Sequence, residues 1–265
     1  MKKFLVIGNP IEHSLSPKLH NFWIKQNKLE AIYEKKLVSK NELKLIIESV
    51  RKNEIEGVNV TVPFKESIID YLDILSPEAN ETQSVNTIYK SDNNIIGHNT
   101  DIGGFELAIR YINYSLKDKK ILIIGAGGVV PSIIYALNKS AVSKINLMNR
   151  TKEKAEKIKR KFNHVNIIEW GKDCEFDMII NATSLGLKET DIIKIDYDKI
   201  GENKFFYDVI YNPKETNFLK EAKNFFHKTE NGKMMFIYQA HQAFTLWHKK
   251  MPEINDEVLN IVSND

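Results

Sequence analysis

Apolar and polar positions along the chain follow two rhythms. Short apolar runs bounded by glycine, proline or asparagine alternate with stretches whose apolar residues recur every three or four positions, so strands and helices are expected to take turns. KFLVIG, AIYEKKLV and GVNVTV read as strands, while SPKLHNFWIKQN and the segment opened by the S-x-x-E pair of Ser39 and Glu42 read as helices. Ser16, followed by Pro17, is expected to cap the first helix. After SVNTIYK and NIIGHNTDIGG the rhythm restarts at Lys119 with KKILIIG, a helix over 128–139, KINLMNR, a helix over 151–162, NIIEW, FDMIINAT and FFYDVIY. The tail KMMFIYQAHQAFTLWHKK spaces Met235, Ile237, Phe244 and Trp247 as a helix does. Such alternation is the grammar of an α/β protein. Gly103 and Gly104 are the expected hinge and Asn231–Gly232 the second boundary, dividing the chain into 1–102, 103–232 and a helical tail, 233–265, that packs back on the first part.

Composition narrows the partners. With 265 residues, 42% of them hydrophobic, the chain can bury the core of one large domain or two modest ones. A formal charge of +3 from 38 basic and 35 acidic side chains leaves no basic or acidic tail for nucleic acid or a membrane surface. Small molecules are the expected partners. The FLVI run before Gly8 is too short for a secretory segment, and no run approaches the roughly 18 apolar residues of a membrane span. One cysteine, Cys174, rules out an internal disulfide and suits a reducing, cytoplasmic setting. His13, His20, His98 and His241 have no close His, Asp or Glu spacing that would hold a metal, so none is expected. Only four basic residues are arginines, which makes each arginine's position informative.

KKILIIGAGGVVPS is an apolar strand that ends in G-x-G and opens a helix. In that setting Gly125, Gly127 and Gly128 let backbone N–H groups and a helix N-terminus approach a pyrophosphate. Val130 stands where a third small residue is usual, with Pro131 after it, so helix and strand are expected to sit slightly further apart. The next strand ends at Asn149, Arg150 and Thr151, with Lys154 one turn later. An acidic residue there would bond the ribose 2′-hydroxyl of NAD and repel a 2′-phosphate, whereas a guanidinium grips a phosphate through two parallel bonds. NADP is the expected cofactor, the alternative being that Arg150 is a solvated surface charge.

Val58, Val60 and Val62 alternate with Asn59 and Thr61, which puts an amide and a hydroxyl on one strand face and leaves Lys65 just past the strand end. Lys65 is then either a solvated loop lysine or a proton donor beside a polar pocket. Ser14 and Ser16, then Asn59 and Thr61, then Asn86, then Asn99 to Asp101, also fall at the ends of strand-like runs. Ligands of open α/β sheets collect beyond strand carboxyl ends, so one pocket for a small polyhydroxylated molecule is expected there. Lys65 and Asp101 are its only obvious proton-transfer pair.

IGNPIEHSLSPKLHN, GVNVTVPFKE, SVNTI, GHNTDIGG, GAGGV, NRT, NATSLG and YNPKET, in order along essentially the whole chain, resemble the motifs of the shikimate dehydrogenase family. The resemblance implies NADP-linked interconversion of 3-dehydroshikimate and shikimate, on the route to aromatic amino acids, by a monomer or homodimer. It also implies two α/β domains flanking a cleft: a substrate-binding domain over 1–102 and a Rossmann-like doubly wound NADP-binding domain over 103–232. By the same resemblance Ser14 and Ser16 match the pair that binds the substrate carboxylate, with Tyr211 nearby, and Thr61, Asn86 and Gln239 match partners of the ring hydroxyls. Gln242 is the other register open in the tail. Lys65 matches the catalytic lysine and Asp101 the aspartate paired with it. Cofactor matches are Gly125, Ala126, Gly127, Gly128 and Val129; Asn149, Arg150, Thr151 and Lys154; then Thr183, Val209, Gly232 and Met235. Lysine in place of arginine at 154 and the Val130–Pro131 pair depart from the pattern. Two rivals stand beside this reading. An NAD-dependent quinate/shikimate dehydrogenase would favour an acidic residue at 150, and a nucleotide-binding regulator without the reaction would not need Lys65 and Asp101.

Overall fold

The computed structural model describes residues 1–263, so the last two residues of the expected tail, 264 and 265, lie outside the described residues. The elements are β1 (Lys2–Gly8), α1 (Ser16–Gln26), β2 (Ala31–Leu37), α2 (Leu43–Arg51), β3 (Gly57–Val60), β4 (Ile74–Leu75), α3 (Pro77–Thr82), β5 (Thr87–Ser91), β6 (Asn94–His98) and α4 (Asp101–Tyr111). They continue with β7 (Lys120–Ile124), α5 (Val130–Lys139), β8 (Lys144–Met148), α6 (Lys152–Lys161), β9 (Asn166–Ile168), β10 (Met178–Asn181), β11 (Phe205–Asp208), α7 (Asn217–Asn224), β12 (Lys228–Glu230), α8 (Lys233–His248) and α9 (Asp256–Ser263). Two units result: unit 1 is Met1–Gly104 with the segment from Ile237 onward, and unit 2 is Phe105–Phe236. No helix among the described residues is long and apolar enough to cross a membrane.

Unit 1 is built on a mixed sheet of order β2-β1-β3-β5-β6-β4. Phe4, Leu5, Val6 and Ile7 are all buried, as a strand flanked by parallel neighbours and covered on both faces requires. One face of the sheet receives Leu43, Ile46, Ile47 and Val50 of α2, which pack with Val58 and Val60. Trp247 of α8 lies against Gly57, where a Cβ would come within 2.4 Å of its Nε1, and that Nε1 donates to the Ile88 carbonyl at 3.1 Å.

The register decides what gathers at one end of this sheet. Val6 pairs with Asn59, Asn59 with Thr87 and Thr87 with His98, so these four form one transverse row. Because β5 runs against both β3 and β6, the positions just beyond that row are Gly8, the segment Thr61–Lys65, Asn86 and the segment Asn99–Asp101. Three local expectations change. α1 starts at Ser16 with Leu15 already helical at its N-cap, and the Ser16 N–H donates to the Ser14 Oγ at 3.4 Å, so Ser16 is not the cap. β3 ends at Val60 because a turn from the Phe64 N–H to the Thr61 carbonyl follows, and Val62 is exposed rather than part of an apolar face. Gly103 and Gly104, expected as a hinge, are helical within α4 although unit 1 ends at Gly104, and Gly103 leaves room for the Gln242 side chain.

Unit 2 holds an all-parallel sheet of order β12-β11-β10-β7-β8-β9. In this doubly wound sheet the strand order reverses between β7 and β10, which makes their carboxyl ends the topological switch point. Ile121, Ile123, Leu147, Ile179, Ile180 and Phe206 are buried in continuous apolar runs, as a sheet covered on both faces demands.

Candidate active site

In unit 1 the Lys65 Nζ lies 2.7 Å from the Asp101 Oδ2, with the two side chains 11% and 8% exposed. The Lys65 carbonyl accepts the Val85 N–H at 2.8 Å, which pins the loop after β3 to the segment before β5. Asp101 opens α4, where the helix dipole favours a carboxylate. Asn99 fixes that helix start: its Oδ1 accepts the Asp101 N–H at 3.0 Å while its Nδ2 donates to Thr82 Oγ1 and to the Ser84 carbonyl. A cation and an anion at this separation share a charge-assisted hydrogen bond, and the ammonium has further hydrogens to offer a ligand.

Asn86 is the hub beside this pair. Its Oδ1 accepts the Thr100 N–H at 2.8 Å, and its Nδ2 donates to Thr100 Oγ1 at 3.0 Å and to Gln239 Oε1 at 3.5 Å. Gln239 therefore joins the cluster, whereas Gln242 donates to the Tyr238 carbonyl of its own helix. Asn59 is expected as a ligand contact, but its Nδ2 donates to the Asn86 carbonyl and Thr87 Oγ1, and its Oδ1 accepts the Tyr33 hydroxyl at 2.7 Å. Both of its amide hydrogens are engaged, so it braces Asn86 and Thr87 from below. Ser14 and Thr61 are half-buried at the ends of the loop after β1 and of β3, and Ser16 is buried at the start of α1. The Thr61 methyl would come within 2.5 Å of a Cβ on Gly8, so these two strand ends approach each other only because Gly8 lacks a side chain.

In unit 2 Gly125 has φ +113° and a Cβ on it would lie 2.6 Å from the Ala182 carbonyl oxygen, so this turn requires glycine. Gly127 and Gly128 are exposed ahead of α5, while Val130 and Pro131 are absorbed into the buried face of its first turn. Beyond β8, Arg150, Thr151 and Lys154 are exposed, and the Asn149 Nδ2 donates to the Thr151 carbonyl at 2.7 Å. A glycine cradle at the switch point, ahead of a helix N-terminus, fits the pyrophosphate of a dinucleotide. Thr183 Oγ1 donates to Asn181 Oδ1 and accepts the Leu185 N–H, so its hydroxyl serves the loop. Gly232 presses on Val209, whose carbonyl oxygen would stand 2.0 Å from a Cβ, and Met235 is buried three residues on. Tyr211 belongs to unit 2 and stacks on Phe236 at 4.3 Å.

Tyr33, Thr87, Asn181, Asp208 and Thr216 also hold these sites and are missing from the expected residues. Two asparagine-threonine pairs, Asn86-Thr87 and Asn99-Thr100, are the signal for the first cluster. An acid closing the apolar run FFYD is the signal for Asp208, whose carboxyl burial pushes up to about 6 against the lowering effect of three hydrogen bonds.

Comparison with known proteins matches residues 6–88 to the shikimate dehydrogenase substrate binding domain and residues 106–201 to the shikimate / quinate 5-dehydrogenase family. The shikimate dehydrogenase (NADP(+)) of Pelagibacter ubique is 59% identical over 261 residues, 98% of each chain. The Listeria monocytogenes shikimate 5-dehydrogenase, solved with shikimate and NAD, superposes with TM-score 0.90 at 30% identity over 99% of this chain and 96% of that one. The Thermus thermophilus enzyme, solved with NADP(H) and shikimate, gives TM-score 0.88 at 31% identity over 99% and 97%.

Proposed function

The chain belongs to the shikimate dehydrogenase family, and from that premise we propose that Lys65 and Asp101 carry out its proton transfer and that its nucleotide is NADP. The reaction is the reversible, nicotinamide-linked reduction of dehydroshikimate to shikimate, a ketone becoming a secondary alcohol. The nucleotide, when bound, supplies the hydride for reduction and accepts it in oxidation. Lys65 gives its proton to the carbonyl oxygen as negative charge develops there, stabilising the alkoxide and quenching it in one step. In the oxidation direction the neutral amine takes that proton back. Asp101 orients the ammonium and accepts a hydrogen bond from a ring hydroxyl. Ser14 and Ser16 bind the ring carboxylate, and Thr61, Asn86 and Gln239 bind ring hydroxyls. The observation that carries this reading is the 2.7 Å contact of Lys65 and Asp101 among neutral amides and hydroxyls.

Gly125, Ala126, Gly127, Gly128 and Val129 cradle the pyrophosphate, with Thr183, Val209, Gly232 and Met235 toward the nicotinamide end. Arg150, with Asn149, Thr151 and Lys154, takes the 2′-phosphate. NAD is the second reading, since the Listeria relative holds NAD together with shikimate; the absence of an acid from the segment Asn149–Thr151 favours NADP. Initial rates of nicotinamide absorbance change decide it. Shikimate with NADP should be the fastest of the four combinations of shikimate or quinate with NADP or NAD. Arg150→Ala should raise the KM for NADP about 10- to 100-fold, the worth of charge-assisted bonds, and leave that for NAD unchanged. Equal rates with both nucleotides, or no effect of Arg150→Ala on the NADP value, would overturn the assignment.

A further inference from the structure

We propose that Asp208 is a positioning residue for the nucleotide loop: through Asn181 and Thr183 it sets the floor on which the Gly125 turn closes. The inference rests on the reading that the Gly125 loop binds the nucleotide. Asp208 ends β11 with no solvent exposure, and three donors from three places converge on it. Its Oδ1 accepts from Asn181 Nδ2 at 3.0 Å and from the Ile210 N–H at 2.9 Å, and its Oδ2 accepts from Thr216 Oγ1 at 2.6 Å. Thr216 is itself the N-cap of α7.

Asn181 passes this constraint on. Its second amide hydrogen goes to the Leu185 carbonyl at 2.9 Å, while its Oδ1 accepts the Thr183 N–H at 3.0 Å and the Thr183 hydroxyl at 2.7 Å. Both partners of the nitrogen are acceptors and both partners of the oxygen are donors, so the amide cannot turn over. With its hydroxyl tied, Thr183 must aim its methyl toward Gly125, where a Cβ would meet that methyl at 3.0 Å and the Ala182 carbonyl oxygen at 2.6 Å. The shape of the glycine turn is thus read against a surface that Asp208 holds.

A carboxylate suits the position because all three partners donate, and an amide would point a hydrogen at one of them. Burying a charge among neutral donors is costly, and joining three elements can be done with neutral groups. An acceptor that cannot rotate out of register supplies the reason for tolerating that cost.

The test compares wild type with Asp208→Asn, Thr216→Val and Thr216→Ser, in the full chain. Two quantities are read: hydrogen exchange of segments 125–128 and 182–187 without nucleotide, and the Kd for NADPH from nicotinamide fluorescence. Asp208→Asn and Thr216→Val should speed exchange in both segments and raise the Kd about tenfold, the equivalent of one buried hydrogen bond. The KM for shikimate should not move, and Thr216→Ser, which keeps the donor, should behave as wild type. Unchanged exchange and Kd in folded Asp208→Asn overturn the proposal. Should that variant not fold, equal behaviour of Thr216→Val and Thr216→Ser overturns it. A wild type that binds no NADPH refutes the cofactor reading instead, and the exchange measurement still decides the role of Asp208.

Discussion

At Lys65 and Asp101 two opposite charges meet at 2.7 Å with little solvent around them. Stripping water from such ions costs several kcal/mol each, and their attraction returns little more than that, so the intact pair adds little to stability. Lys65→Met alone leaves a carboxylate without its cation and should cost about 3–5 kcal/mol. Adding Asp101→Leu should restore most of the lost Tm while kcat stays no higher than that of Lys65→Met. Thermal melting of the two variants checks this; a double variant as unstable as the single would make the pair a fold determinant. His20 is a second buried group with a readable consequence. Its ring stacks on Tyr33 at 4.1 Å, neither nitrogen has a hydrogen-bond partner, and burial pushes its pKa down to about 3. A depressed histidine contributes stability that is present above its unfolded value of about 6.5 and is lost as pH falls from there toward 3. Between pH 6.5 and 5 the wild type should therefore lose about 2 kcal/mol more than His20→Phe, measured by urea unfolding at each pH. Parallel curves would mean that His20 protonates freely in the folded state.

Elements that bury one face or run apolar throughout announce themselves, and β1, β3, β7, β8, α2 and α5 do so in their residue pattern. The short α3 and α7 do not, although Ser76 and Thr216 each cap one by accepting a backbone N–H three residues on. Their capping residues precede only six and eight helical residues, too few for a period to show. The polar end of the unit 1 sheet was legible as a set of strand ends, because position beyond a strand end depends on local sequence. Which amides face a ligand and which face each other was not, because Asn59 and Asn86 differ only in partners that are distant in the chain. Glycines divide in the same way. A Cβ on Gly57 would meet the Trp247 ring at 2.4 Å, and one on Gly103 would meet the movable end of Gln242 at the same distance. Gly57→Ala should destabilise by about 1–3 kcal/mol, as overpacking against a rigid ring does. Gly103→Ala should be within about 1 kcal/mol of wild type, since Gln242 can swing away and alanine favours the helix. Denaturant midpoints separate the two, and equal losses would contradict this account of how α8 packs in unit 1.

On the scale of the whole molecule the chemistry is divided by unit. Lys65, Asp101 and the polar cluster around Asn86 lie in unit 1, and the Gly125 turn, Arg150, Lys154 and Tyr211 lie in unit 2. Under the proposed assignment the proton donor and the nucleotide loop belong to different units, so turnover is expected only of the full chain. The most direct measurement is the rate of NADP-linked shikimate oxidation by the full chain beside its Lys65→Met variant, with NADPH binding followed in parallel. The variant should lose about 10² to 10⁴ in kcat while binding NADPH as tightly as wild type. Turnover of Lys65→Met within a few-fold of wild type would contradict the assignment of the proton transfer to this lysine.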